Sequence, residues 1–394
     1  MNRVPEINIP ASKSISNRLL ILAAQFPGSI QIKNLSTARD TVLLKNALES
    51  DEHIRDVKDA GTAFRFLTAF LPFHNPNPVT LTGSERMKQR PVGALVEALR
   101  HLGAKIEYLE KEGFPPLRIF PSSFISSSVE IRSDVSSQFI SALMLVGMKN
   151  PGGLTIHLKK SPVSVSYIQM TASMMHDLDI DVQISKDKIY VPSTSRIEKK
   201  VMEVEPDWSA ASYFFSYTSV TGKPVLLLNF KPHSVQGDRH VVEIYKKLGV
   251  ENTFTESGLF LKQKNIDSTD FFEADFLLNP DLAQTVAVTC LARKIPCRLT
   301  GLKTLRIKET DRIQALKNEL KKFGAKVEAT DDSLEILPPK NLVFPNEGIV
   351  TYKDHRMTMS FAVMQKIFPG LDIHDKNNVI KSFPGFWKEW NKLG

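Results

Sequence analysis

Lys13 and Arg18 stand among three serines in Pro10–Arg18, PASKSISNR, directly ahead of the apolar run LLILAA. Serine and asparagine before an apolar run are helix N-cap residues. A helix start presents unpaired N–H groups and the positive end of a macrodipole. The chemistry on offer is therefore capture of a phosphate or carboxylate. Taken alone, the stretch fits a capped surface helix with solvated charges better. Five more helix starts hold similar residues: Gly61 and Arg65 after Asp59-Ala60, then Ser136-Ser137-Gln138, Asp207, Asp281, and Asp354-His355-Arg356. Each Asp or Ser alone reads as an N-cap, and recurrence beside basic residues weakens that reading. Two further stretches are dense in charge. GSERMKQRP carries Arg86, Lys88 and Arg90, and LRIKETDRI carries Arg306, Lys308, Glu309, Asp311 and Arg312. A carboxylate beside Lys and Arg suits proton transfer, and guanidinium groups suit bidentate binding of phosphate or carboxylate. Lys381, in VIKSFP, is by itself an ordinary surface lysine.

The elements that must position these residues form two alternating patterns. One is an amphipathic helix ending in a Leu/Phe-Gly turn and leading into a strand: Val92–Glu110, Val241–Phe254 and Ile313–Ala329. A fourth copy, Ile168–Ile184, has Asp179 in place of glycine. Gly103, Gly249 and Gly324 fit the left-handed position that ends a helix. Thr41–Ser50 and Phe383–Gly394 look like incomplete copies. The other pattern is apolar nearly all round: Ser16–Ala24, Gly61–Phe70, Ser136–Val146, Asp207–Tyr217, Asp281–Ala292 and Asp354–Met364. Such helices belong inside. Six of each, with strands between, predict an α/β protein of two similar domains with three repeated βαβ-type units apiece. The expected domains are 12–205, and 1–11 with 206–394, crossing near Pro10 and near Glu205–Asp207. Parallel buried helices would bring the six polar starts together.

Composition excludes several classes. At 394 residues, with 42% hydrophobic and 24% charged residues, the chain is globular and predicts two domains. No apolar run reaches the length of a membrane span, and MNRVPEINIP has no leader character, so a cytoplasmic protein is expected. Cys290 and Cys297 make no disulfide framework, and no Cys/His spacing suggests a metal. A net charge of +8 suits small anionic ligands. The basic residues are scattered, without the aromatic interleaving of an RNA-binding surface. No phosphate-binding GxxxxGK[ST], GxGxxG or nucleophile elbow is present.

At PASKSISNR, DAGTAFR, ERMKQRPVG, SDVSSQF, DWSAASYF, QGD (Gln236–Asp238), NPDLAQT, RIKETDR, DHRMTMSF and IKSFP, in that order, the chain resembles the 5-enolpyruvylshikimate-3-phosphate synthase family. The resemblance covers nearly the whole chain. It implies an inside-out α/β fold of two domains joined by a hinge, whose closing would unite two anion sites and exclude water. It also implies transfer of the enolpyruvyl group of phosphoenolpyruvate to the 5-hydroxyl of shikimate 3-phosphate, without metal or cofactor, by a monomer. Shikimate 3-phosphate would be held by Lys13, Ser14, Arg18, Ser136, Ser137, Gln138, Ser164, Tyr167, Asp281 and Lys308. Phosphoenolpyruvate would be held by Lys13, Gly61, Arg90, Gln138, Arg312, Arg356 and Lys381. Asp281 would take the proton of the attacking hydroxyl, and Glu309, with Lys13 nearby, would protonate the methylene carbon.

Four departures stand out. Asp59 replaces the usual Asn and Phe66 the usual Pro, beside the pocket that glyphosate occupies in the family. The stretch between Asp40 and Ala60 is short, and Ser164-Val165-Ser166-Tyr167 lacks the usual Lys-Pro. A related transferase acting on UDP-N-acetylglucosamine would want a reactive Cys or Asp in a mobile loop, and the SSQ and DHRM stretches argue against it. A non-catalytic anion-binding relative has only Asp59 and the short first unit in its favour. An RNA-processing relative would want a basic stripe.

Overall fold

The computed structural model of the chain describes residues 4–264 and 270–394; residues 1–3 of the N-terminal segment lie outside them. Ala11–Val204 forms one compact unit. The chain up to Pro10, with Glu205–Gly394, forms the other.

One motif builds both. In the first unit, strand Ile54–Asp56 leads into helix Gly61–His74, strand Val79–Thr82, helix Gly93–His101 and the hairpin Lys105–Tyr108/Leu117–Phe120. The first two strands pair in parallel, because a helix crosses between them. The rest pair antiparallel, the last two strands joined by the loop 109–116. The same strand order recurs with Ser128–Arg132, Leu154–Lys159, Lys188–Val191 and Gln183–Ile184. In the second unit it recurs with Glu6–Ile7, Val225–Leu228, Gly258–Gln263 and Val250–Thr255. It recurs again with Phe272–Asp275, Cys297–Thr300, Leu334–Leu337 and Lys326–Ala329. Strand residues alternate buried and exposed, as in Ser128–Arg132, so each sheet turns one face to its helices.

The remaining copies are cut short. Ile30–Lys33 pairs only with Lys200–Glu203, and the Arg39–Glu49 helix runs on to Ile54 with no hairpin. At the other end a bridge, Ile349 to Ile373, flanks helix His355–Phe361, and helix Phe386–Trp390 follows. Six repeats are therefore present, four complete and two truncated.

The helices read as apolar all round are buried. Helix Gly61–His74 is covered from Gly61 through Pro72 apart from Thr62, and Ser137–Gly147 is covered apart from Gln138. Within each unit the buried helices pack on one another: Lys13–Gln25, Gly61–His74 and Ser137–Gly147 in the first, Trp208–Thr221, Ala283–Ala292 and His355–Phe361 in the second. The amphipathic helices bury one stripe, such as Leu95, Val96, Ala98 and Leu99 of Gly93–His101. Gly103, Gly249 and Gly324 take φ of 109°, 77° and 85°. Asp179, the fourth copy's substitute, adopts the same left-handed turn at φ 59°. The segment Arg298–Leu305 reads as strand-like in the sequence, but the strand is shorter. Gly301, at φ 72°, ends that strand at Thr300, and a 3-10 turn, Lys303–Ile307, delivers the KETD segment instead.

Candidate functional site

In the unit Ala11–Val204 the expected residues from Lys13 to Tyr167 sit at or beside the starts of the buried helices. Ser12, not a serine within the helix, caps Lys13–Gln25 by accepting from the Ile15 N–H. That leaves Lys13 and Ser14 half-buried in the first turn, and Lys13 Nζ lies 3.2 Å from Asp40 Oδ2. One turn on, Arg18 is 2% exposed. Its guanidinium donates to Thr171 Oγ1 at 2.7 Å, to Ser141 Oγ at 3.1 Å, and to the Ser14 and Tyr167 carbonyls. Phe66 and Tyr167 lie against it, with ring centroids 5.5 and 5.9 Å away. Every one of these partners is neutral. Burial lowers the Arg18 pKa to about 10, so among the described residues the site holds a desolvated cation with no carboxylate to balance it.

Gly61 opens the second buried helix, and the Arg90 guanidinium lies on it. A methyl group built on Gly61 would stand 2.5 Å from Arg90 Nη1. Arg90 is 7% exposed, and its buried Nε has no hydrogen-bond partner. No carboxylate pairs with it among the described residues. At the third start Ser136 accepts from the Gln138 N–H, and the Gln138 amide donates to Thr62 Oγ1 at 3.0 Å. Ser137 is buried beside it. Ser164 holds a left-handed backbone at φ 51° just before helix Val165–His176, which carries Tyr167.

In the other unit Asp281, Lys308, Glu309, Arg312, Arg356 and Lys381 form one cluster. Asp281 was expected to open an α-helix. It lies instead in a 3-10 turn, Pro280–Leu282, ahead of Ala283–Ala292, and its carboxylate is not spent on capping. Asp281 accepts from Arg312 at 3.0 Å and from Arg356 at 2.9 Å, with Lys308 at 3.9 Å. Burial alone would raise its pKa, but Arg356, Lys308 and Arg312 hold it well below the usual carboxylate range. Glu309 accepts from Arg312 at 2.8 Å and faces Lys381 at 3.8 Å. Arg312 is itself fixed by the buried Asp354, Nε to Oδ2 at 2.7 Å. Burial opposes the Arg312 charge, but Asp354, Glu309 and Asp281 outweigh it and raise its pKa.

Sequence reasoning missed several participants. Asp40, Arg39, Thr171 and Ser141 gave no local signal, because their partners lie far along the chain. The QGD stretch was noticed without a role. It clamps two helix starts: Gln236 accepts from the Trp208 N–H, and Asp238 accepts from the Ser209 hydroxyl and from Asn279 Nδ2 at 3.2 Å. Burial, and then the charge of Asp281, push the Asp238 pKa up to about 6. Asp207 is what a single capping residue should be, accepting from the Ala210 N–H at 2.9 Å. Among the described residues no group of three or more His, Cys, Asp or Glu is placed to hold a metal ion, and no helix is long and apolar enough to cross a membrane.

The chain is similar to known proteins along nearly its whole length. The family model for EPSP synthase (3-phosphoshikimate 1-carboxyvinyltransferase) matches residues 41–390. A 3-phosphoshikimate 1-carboxyvinyltransferase of Bacteroides fragilis is 41% identical over 390 residues, covering 98% of this chain and 95% of its own. One from Paraburkholderia phymatum is 36% identical over 419 residues, covering 98% and 96%. The solved structure of an EPSP synthase from Acinetobacter baumannii superposes with a TM-score of 0.77 at 21% identity, covering 100% of this chain and 97% of that one.

Proposed function

This chain belongs to the EPSP synthase (3-phosphoshikimate 1-carboxyvinyltransferase) family, and we propose from that premise how its residues divide the work of enolpyruvyl transfer from phosphoenolpyruvate to the 5-hydroxyl of shikimate 3-phosphate. The observation that carries the assignment is Arg90, a buried guanidinium laid on a glycine with no carboxylate partner. Burying such a cation is costly unless an anion meets it, so it supports a phosphoenolpyruvate site at Gly61 and Arg90 with Gln138; Arg312, Arg356 and Lys381 are assigned to the same ligand by the resemblance alone. Arg18, equally unbalanced, supports a site for shikimate 3-phosphate with Ser14, Ser136, Ser137, Ser164, Tyr167 and Lys308. Lys13 would serve both ligands.

Asp281 takes the proton of the 5-hydroxyl as its oxygen attacks C2 of phosphoenolpyruvate. Glu309 delivers a proton to the methylene carbon. The tetrahedral adduct then loses phosphate as the proton on its methyl group is removed, which restores the enol ether. At rest Asp281 is a poor base, because three cations face it. Two of them, Arg312 and Arg356, are the groups assigned to phosphoenolpyruvate. An anionic ligand that takes their donors returns basicity to Asp281, so the base becomes competent once phosphoenolpyruvate is in place. Positioning and charge stabilisation supply the rate. The proposal includes a monomeric state and a cytoplasmic setting, as the sequence leads one to expect; sedimentation velocity tests the first and cell fractionation the second.

A coupled assay for phosphate release from the two substrates tests the reading. Turnover is expected in the unaltered chain. Lys13→Ala and Asp281→Asn should each lower kcat by at least about a hundredfold, with the melting temperature kept within a few degrees. No turnover, or variants that melt early while retaining catalysis, would overturn it.

A further inference from the structure

Asp59 stands where the resembled family has asparagine, and the structure gives its carboxylate a specific partner, the Arg39 guanidinium. Arg39 and Asp40 are the first two residues of helix Arg39–Glu49. Asp40, 2% exposed, takes Lys13. One dipeptide thus grips two of the segments assigned to substrate: the Lys13 segment through its acid and the Asp59-Ala60-Gly61 segment through its base. Only the acid suits the position. A helix start favours an anion and disfavours a cation, and Ala38 supplies no side-chain cap. Arg39 therefore gains nothing from its own helix, and its visible return is the contact with Asp59.

Asp59 lies two residues before Gly61, on which the Arg90 guanidinium rests. A negative charge there, left unneutralised, would repel any anion that Arg90 is to hold. We propose that Arg39 sets the affinity of the Gly61–Arg90 pocket for phosphoenolpyruvate by neutralising Asp59, so that the two charges together do what a neutral amide does alone. The inference rests on the assignment of Gly61 and Arg90 to phosphoenolpyruvate made above. The pair is partly exposed, at 40% for Arg39 and 28% for Asp59. Its role is therefore in ligand binding, since pairs so exposed add little to stability.

The test is a double-mutant cycle on KM for each substrate, with Arg90→Ala alongside. Arg39→Ala is expected to raise the KM for phosphoenolpyruvate roughly three- to tenfold, with less effect as ionic strength rises. The KM for shikimate 3-phosphate and the melting temperature should stay where they are. Asp59→Asn added to Arg39→Ala should restore the KM for phosphoenolpyruvate, whereas Asp59→Asn alone should leave it unchanged or lower. An unmoved KM in Arg39→Ala, or a rise that Asp59→Asn does not rescue, overturns the inference. If Arg90→Ala also leaves that KM unmoved, the pocket assignment itself has failed. If Arg90→Ala raises it while Arg39→Ala does not, the inference fails alone.

Discussion

Asp238 is an acid kept where ionisation is expensive: 5% exposed, facing the Asp281 carboxylate, with Arg356 and two neutral donors as its compensation. Its pKa of about 6 in the folded chain lies above the ordinary 3.8. Between those values the folded state binds more protons than the unfolded one. Stability from this group is therefore greatest at low pH and falls as pH rises from about 4 to about 6. A rise of that size corresponds to about 3 kcal/mol. Asp238→Asn keeps an acceptor for Asn279 and removes the titration. Its stability relative to the unaltered chain should improve by up to about 3 kcal/mol between pH 4 and pH 7. Urea unfolding of both proteins across that range measures it, and a difference that does not change with pH would remove Asp238 from the account. At this scale the sequence was only half legible. Lys13, Arg18, Arg90 and Asp281 could be picked out as charges beside helix starts, because capping chemistry is local. Their partners could not. Thr171 meets Arg18 across 153 positions and Arg39 meets Asp59 across 20, and no periodicity encodes such pairs.

Helix starts are the elements on which the site is hung, and Gly61 shows why one of them tolerates no side chain. Its φ is not in the left-handed range, so the glycine is not there for its conformational freedom. It is there because Arg90 fills the space a methyl group would take. Gly61→Ala should cost the fold little, or add a few tenths of a kcal/mol by restricting the unfolded chain. It should also push the Arg90 guanidinium aside and raise the KM for phosphoenolpyruvate about tenfold or more, since a misplaced guanidinium forfeits its charge-assisted hydrogen bonds. Thermal melting and steady-state kinetics on one preparation separate the two effects; a fall in stability with an unchanged KM would contradict the packing argument. Elements were far more legible than contacts. Twelve helical segments followed from apolar spacing, and three of the four turn positions from glycine. What the sequence hid was the exact place where each helix begins. The first buried helix reads from Ser16 in the sequence, but Ser12 caps it, and Pro280–Leu282 is a 3-10 turn, so the Asp281 carboxylate is not used for capping. Several side chains can cap, and only tertiary packing chooses among them.

As a whole molecule, the chain is one unit interrupted by another, and the interruption is closed at its base. The Asp207 N–H donates to the Pro10 carbonyl at 2.9 Å, so the outgoing and returning crossings are tied together. The few residues before Pro10 then do more than their number suggests. Glu6–Ile7 forms the outer parallel strand against Val225–Leu228, and Ile7 and Ile9 are buried. The Asn8 N–H donates to the buried Glu389 at 2.8 Å, near the opposite end of the chain. Four complete and two truncated repeats explain the arrangement. The repeat beginning at Glu6 needs a first strand like the others, and the chain supplies it before departing to build Ala11–Val204. Removing residues 1–8 should therefore cost about 2–3 kcal/mol for the lost burial of Ile7, with more for the stripped sheet edge and for the hydrogen bond that Glu389 loses, although Lys392 still pairs with it at 2.6 Å. The loss should fall on one unit. Amide exchange ought to quicken in Trp208–Thr221 and Val225–Leu228, while Gly61–His74 and Ser137–Gly147 keep their protection, because those helices draw their packing from within Ala11–Val204. Exchange that quickens equally throughout would mean that the two units unfold as one, and that the N-terminal strand stabilises the whole chain rather than the unit it completes.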